Sequence, residues 1–332
     1  MIFRRFSLLL LICFVFFHSR SQTQLPESFF LADSLRTIVQ TLASDSFQGR
    51  LSGTAGCSNA ANFIAEQFRN AGLKPVRGGD DFFWQVNNLG SNVIGAIEGK
   101  SKKEEIIIFS AHYDHIGTIK TNPTTWKAEQ TRTRKKDFIY NGANDDASGV
   151  AAVISLAKYF AAHHNNERTI LFVAFTGEEL GLLGSQSFAS IVTHDLVKAV
   201  INIEMIGRKR GNDDNPYITG PDQSNLLLLL NNRLRNSDPL TYNKPYFIQD
   251  YFGSENLFER SDNFPFVKYG IPAHSIMLTS PTDKYYHSLS DEASTLDYHA
   301  MSNIIKAIAI ASAGLVTGED TPSRIGNYEQ DN

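Results

Sequence analysis

Cysteine is almost missing from this chain: two among 332 residues, Cys13 and Cys57. Cys13 lies in an apolar N-terminal run that reads as a leader, so a mature chain keeps Cys57 alone. An intramolecular disulfide is then excluded, and cysteine usage says nothing about export. Cys57, between Gly56 and Ser58 near a helix start, reads as a small buried residue and not as a nucleophile. Excess charge is missing too. A formal net charge of −4 argues against a general nucleic-acid role. One basic stretch, 127–136, stands apart with Arg132, Arg134 and Lys135. It reads as a solvated loop, or as a flap over an active site that draws acidic substrates. There is no Pro/Gly/Ser linker, no internal repeat and no second long apolar segment.

The N-terminus carries the features of a secretory signal. Arg4 and Arg5 precede an apolar run over residues 6–17, too short to span a bilayer with ease. Ser19-Arg20-Ser21 then offers small residues for cleavage. We expect a signal peptide over 1–21, cut near Ser21–Gln22, and export to the periplasm or beyond. An uncleaved anchor is the alternative. Ile12 stands where a lipoprotein signal needs a small residue, so lipidation is not expected. No stable membrane association is expected once the leader is gone. Roughly 310 residues remain, read as one domain with a polar, frayed tail from about 318.

What is present is an alternation of strands and helices. Helices are predicted over 31–47, 58–72, 148–162, 222–235 and 298–315. Strands are predicted over SNVIGAIEG, EEIIIFSAHYD, 169–175, 199–203, 241–248 and 271–278. Several of these strands are continuous apolar runs, as expected when both faces of a sheet are covered. The class is α/β, a three-layer α/β/α sandwich with a central mixed, mostly parallel sheet.

Five short segments sit at or just beyond apolar runs. They are SAHYDH around His112 and Asp114, GANDDASG around Asp145, FTGEEL around Glu178 and Glu179, INIEMIG around Glu204, and YYHSLSD around His287. Open α/β sheets place their chemistry at the carboxyl ends of the strands. Taken singly, each segment has a plain structural reading. His-x-Asp can be a satisfied strand end, adjacent aspartates can cap a helix, and Glu-Glu can be a surface turn. Taken together, two histidines and several carboxylates form a donor set for zinc or a similar divalent ion. Asp114 can orient a metal-bound imidazole from behind. Of Glu178 and Glu179, one can bind metal while the other acts as general base. Asp145, Glu179 and Glu204 bring three negative charges against four positive from two divalent ions. The net positive charge that remains favours hydroxide and a developing oxyanion.

The ordered set resembles metallopeptidase family 28, the secreted di-zinc aminopeptidases whose relatives include glutamate carboxypeptidase and glutaminyl cyclase. The resemblance runs from SDSFQGRLSGTAG through SNVIGAIEG and the five segments, and includes RSDNFPFVKYGIPA. It implies a zinc-exopeptidase fold and two Zn2+ per chain. His112 and Glu204 would bind the first ion, Glu179 and His287 the second, and Asp145 both. Glu178 matches the general base, Asp114 the acid behind the metal ligand, and Tyr286 a phenol that donates to the tetrahedral intermediate. Peptides are the implied substrates. A carboxypeptidase or dipeptidase, a glutaminyl cyclase and a metal-free binding module are the other readings. Arg208, Lys209 and Arg210, close behind Glu204, read as a solvated turn, or as a clamp for a substrate carboxylate in the first of these. The metal-free module would be expected to have lost ligands, and here each position holds a competent side chain. Two departures stand out. Many relatives have Asp at Glu204, whose longer side chain still reaches a metal. Relatives often have His at Asn263, which predicts an altered substrate-side contact.

Overall fold

The computed structural model describes residues 27–76, 79–121, 137–211, 215–280 and 282–326. The leader and the whole basic 127–136 stretch therefore lie outside the described residues. In chain order the helices are α1 (Ala32–Leu42), α2 (Ala55–Asn70), α3 (Ser148–His163), α4 (Leu183–Ala189), α5 (Leu226–Ser237), α6 (Phe264–Val267), α7 (Tyr298–Ala311) and α8 (Ala313–Thr317). The strands are β1 (Lys74–Pro75), β2 (Phe83–Gln85), β3 (Ser91–Ile97), β4 (Lys102–His112), β5 (Arg168–Phe175), β6 (Val197–Glu204), β7 (Tyr217–Ile218), β8 (Ile248–Gln249) and β9 (Ala273–Met277). They form one sheet in the order β1-β3-β5-β4-β6-β9-β7-β8, with β2 also paired to β3. The centre, β5-β4-β6-β9, is parallel; β3 and β7 flank it antiparallel. The sheet is therefore mixed and mostly parallel at its core, as expected.

Side-chain alternation explains why these runs are strands. In β4, Ile107, Phe109 and Ala111 join the larger apolar core while Ile108 joins the smaller one. In β5, Ile170, Phe172 and Ala174 face the first, and Leu171, Val173 and Phe175 the second. A strand covered on both faces must be apolar at both phases of its two-residue period. The larger core is closed by residues of α1, α2, α3, α5 and α7, the smaller by residues of α4 and α6.

Three expectations change. The strand expected over 241–248 is absent except for Ile248. Its backbone groups go to a side chain instead: Asn231 on α5 accepts from the Tyr246 and Phe247 amides and donates to the Phe247 carbonyl. The first helix stops at Leu42, because Ser44 is extended at φ −82° and ψ 153°; beyond it Gln48, Gly49 and Arg50 take positive φ values of 51°, 66° and 48°. The tail beyond Gly318 is not frayed as far as Gly326. Arg168 donates to the Asp320 carbonyl and the Thr321 hydroxyl, Arg233 pairs with Asp320 at 2.7 Å, and Ile325 is buried.

Candidate metal centre

The carboxyl ends of the four parallel central strands meet along one edge of the sheet. β4 ends at His112 and β6 at Glu204. Glu178 and Glu179 follow β5, Asp145 precedes α3, and His287 lies in the loop after β9. The topology alone thus brings five separated segments together.

Asp145 is the hub. Its Oδ1 lies 3.1 Å from His112 Nε2 and its Oδ2 lies 3.0 Å from His287 Nε2. One carboxylate therefore faces two imidazoles through different oxygens, the arrangement a bridging ligand needs. Glu179 Oε2 is 3.1 Å from the same His287 nitrogen. Glu178 Oε2 approaches the other imidazole, at 4.0 Å from His112 Nε2. Glu204, Asp145, Glu178 and Tyr286 line one cleft. The Tyr286 ring stacks on His287, with centroids 3.8 Å apart.

The electrostatics of this cluster call for cations. Burial raises Glu204 to about 7, against the pull of His112. Burial also drives Glu178 well above the ordinary carboxyl range, despite His112. Burial and Asp145 push Glu179 upward, but His287 and a hydrogen bond from His115 bring it down to about 2. Burial opposes the charge on His287, yet Glu179 and Asp145 lift it to about 10. Burial, together with Asp145 and the nearby glutamates, raises the Tyr286 phenol, so it stays protonated and able to donate. His112 Nε2 and Glu204 Oε2 are buried without a hydrogen-bond partner among the described residues. Buried polar atoms are normally paired, so unpaired buried donors beside this carboxylate cluster suit a metal. Imidazole and carboxylate donors suit zinc.

An outer ring of residues holds the donors. Asp114 accepts from Ser52 Oγ at 3.0 Å and from the Glu178 amide at 3.2 Å, and its carbonyl oxygen lies 3.2 Å from His112 Nδ1. Its carboxylate is 3.7 Å from that nitrogen, so it ties the two loops as much as it orients the ring. Asp146 takes the capping role: Oδ1 accepts from the Gly149 and Met205 amides, both at 3.0 Å. A Cβ at Gly149 would collide with the Asp146 carboxylate and the Ile203 carbonyl, so glycine is required there. The Asp145–Asp146 peptide is cis.

Several participants escaped the sequence reading. His115 is fully buried, and its Nδ1 lies 2.9 Å from Glu179 Oε1. With Asp145, Glu179 and His287 it forms a group whose ligand atoms all lie within 4.8 Å of one another. Its signal was present, as the last residue of SAHYDH, three after His112. Arg50 is fully buried and donates to the carbonyls of Leu42, Tyr113, Asn141 and Gly142. Nothing in the spacing announces that. Asp291 accepts from the Asn144 and Asp145 amides and pairs with Arg208 at 2.7 Å. Burial raises Asp262, buried beside this group, to about 7.

Two expectations need correction. Asn263 makes no substrate-side contact. It is fully buried, donates to the Phe258 carbonyl and accepts from Ser275 Oγ. The basic run 208–210 is not a solvated turn at its start: Arg208 is 7% exposed and occupied by Asp283 and Asp291 at 2.6 and 2.7 Å.

An α/β/α fold with a His/Asp/Glu cluster at the strand ends is a scaffold that can hold divalent metal. The family model for Peptidase family M28 matches residues 92–312, and the chain belongs to that family. A probable zinc metalloprotease of Pyrenophora teres f. teres (strain 0-1) is 34% identical over 125 residues, which is 37% of this chain and 24% of that protein. A vacuolar membrane protease of Saccharomyces cerevisiae (strain YJM789) is 33% identical over 117 residues, 35% of this chain and 10% of that protein. The match thus spans about a quarter of the first relative and a tenth of the second. Among solved structures, a zinc aminopeptidase of Bacillus subtilis superposes with a TM-score of 0.66 at 16% identity, over 89% of this chain and 96% of that one. A Porphyromonas gingivalis glutaminyl cyclase gives 0.65 at 19%, over 87% and 99%. At these identities the likeness shows the fold.

Proposed function

We propose that this chain is an exported aminopeptidase that holds two zinc ions and removes N-terminal residues from peptides. The bridging disposition of Asp145 supports two ions. His112 and Glu204 would hold one, Glu179 and His287 the other. Bound there, the ions would polarise the scissile carbonyl and acidify the attacking water. Glu178 takes the water proton and returns it to the leaving amine. Tyr286, kept protonated, donates to the developing oxyanion.

One observation carries the aminopeptidase reading. The cleft that holds Asp145, Glu178 and Glu204 is also lined by Met205, Leu257 and Met277, which pack in one apolar cluster. Carboxylates suit a protonated α-amine, and the apolar wall suits the side chain beside it. Arg208, the sequence candidate for a carboxylate clamp, is already neutralised by two aspartates. A second reading keeps one support. Arg260 also lines the cleft and is 3.5 Å from Glu255, with its side chain 47% exposed. It is placed to meet a substrate carboxylate in a carboxypeptidase or dipeptidase.

A pair of blocked peptides separates the readings. Acetylating the N-terminus should abolish cleavage, and amidating the C-terminus should matter little. If the amidated peptide resists while the acetylated one is shortened from its C-terminal end, the aminopeptidase assignment falls. Conversion of N-terminal glutamine to pyroglutamate without hydrolysis would mark a cyclase. The charged start and short apolar run of residues 1–21 support export. The exported form should begin near Gln22 on N-terminal sequencing; retention of residues 1–21 would favour an anchor.

A further inference from the structure

His115 stands outside the ligand set that the family resemblance implies, yet it is built into the site. It is fully buried, and its amide donates to the Arg50 carbonyl at 3.2 Å. Its ring meets His287 edge-on with centroids 5.5 Å apart. Gly142, at φ 57°, opens the space it occupies: a Cβ there would come within 2.6 Å of the His115 ring. The loop that carries Asp145 is therefore shaped around this imidazole.

We propose that His115 is a metal ligand. Through Nδ1 it completes a four-residue site with Asp145, Glu179 and His287, and leaves His112 and Glu204 to hold the other ion in a more open position. The inference rests on the two-ion reading above. The four donors are two imidazoles and two carboxylates whose ligand atoms lie within 4.8 Å of one another. His115 Nδ1 lies 2.9 Å from Glu179 Oε1 and 3.8 Å from Asp145 Oδ2, and His287 Nε2 lies 3.1 Å from Glu179 Oε2 and 3.0 Å from the same Asp145 oxygen, so both imidazoles face the two carboxylates across one small space. Four protein donors would leave this ion less room than the three around its neighbour, which keeps an open place for water. The difference matches the position of the base. Glu178 approaches His112, on the side with only three protein donors. Both ions would still polarise the substrate, with the attacking water nearer the more open one.

The competing role is indirect: Nδ1–H donates to Glu179 Oε1 and never touches an ion. Cobalt distinguishes the two, because a four-coordinate Co2+ ion absorbs far more strongly in the visible than a five- or six-coordinate one. Metal-free protein titrated with Co2+ should show intense bands at the first equivalent. His115→Ala should lose them, and His112→Ala should keep them, with circular dichroism confirming both folds. Unchanged bands in His115→Ala would overturn the proposal. If that variant does not fold, a crystal structure of the zinc-loaded wild type decides. Nδ1 at about 2.0–2.1 Å from zinc supports ligation, and Nδ1 held by Glu179 away from the ion refutes it. No substrate enters these measurements, so their failure leaves the aminopeptidase reading standing. A wild type that binds one ion in total would remove the two-ion reading instead.

Discussion

Glu178 and Glu179 are neighbours in sequence with opposite surroundings. Glu179 faces His287 and His115, which hold it at about 2 against burial and Asp145. Glu178 is raised by burial, with Glu179 and Glu204 adding to it against the pull of His112. Environments that drive two carboxyls apart separate a ligand from a base. Glu178→Gln keeps the shape and removes the proton acceptor. Turnover should fall by roughly a hundred- to ten-thousand-fold, with zinc content unchanged by elemental analysis. Loss of metal in this variant would mean that the two roles are exchanged. FTGEEL shows in sequence that two carboxylates leave β5 together. Which does what depends on His115 and His287, 64 and 108 positions from Glu179.

The segment between Gly142 and α3 is held from several directions. Arg50 takes the carbonyls of Asn141 and Gly142, Asp291 takes the amides of Asn144 and Asp145, and Asp146 reaches across to β6. These bonds set where Asp145 points. Arg208 is the counter-charge that holds Asp283 and Asp291 in place. Arg208→Met would leave buried Asp291 and half-buried Asp283 without their counter-charge, and removing one partner of a buried pair costs about 3–5 kcal/mol. We expect a lower urea midpoint with an unchanged m-value. A midpoint equal to wild type would show that this network does not carry stability. The second change, Asp291→Asn, made in the Arg208→Met background, should recover part of the loss by removing a stranded charge.

Across the whole molecule, metal and pH should act on stability in opposite senses. Without metal, Glu204 and Asp262 sit near 7 in the fold, both raised chiefly by burial. Their ordinary values are 4.5 and 3.8. Between those values and 7 the folded state keeps protons that the unfolded chain has released, so stability falls as pH rises. His287, lifted from 6.5 to about 10, adds to the fall at the upper end of this window, where the unfolded chain begins to lose a proton that the fold keeps. With zinc bound, proton and metal compete for Glu204, His112 and His287, so the metal's stabilisation grows with pH. The EDTA-treated protein should therefore melt at a lower temperature at pH 7 than at pH 5, and the zinc-loaded protein at a higher one. Parallel slopes in scanning calorimetry would show that the buried acids do not face the metals.

The sequence by itself determined the strand-and-helix alternation and the donor types at strand ends. Both follow from local pattern: apolar runs covered on two faces make central strands, and side chains just past a parallel strand lie at its carboxyl edge. The strand order was decided only in three dimensions, and with it came everything that depends on which ends are neighbours. That includes the two imidazoles on opposite oxygens of Asp145, His115 against Glu179, and the Arg208 pairs. It includes Asn263, whose conspicuous place in RSDNFPF suggested substrate but whose amide serves the core. A buried polar group is defined by what surrounds it. Its partners come from elements far away in the chain, and no local pattern records them.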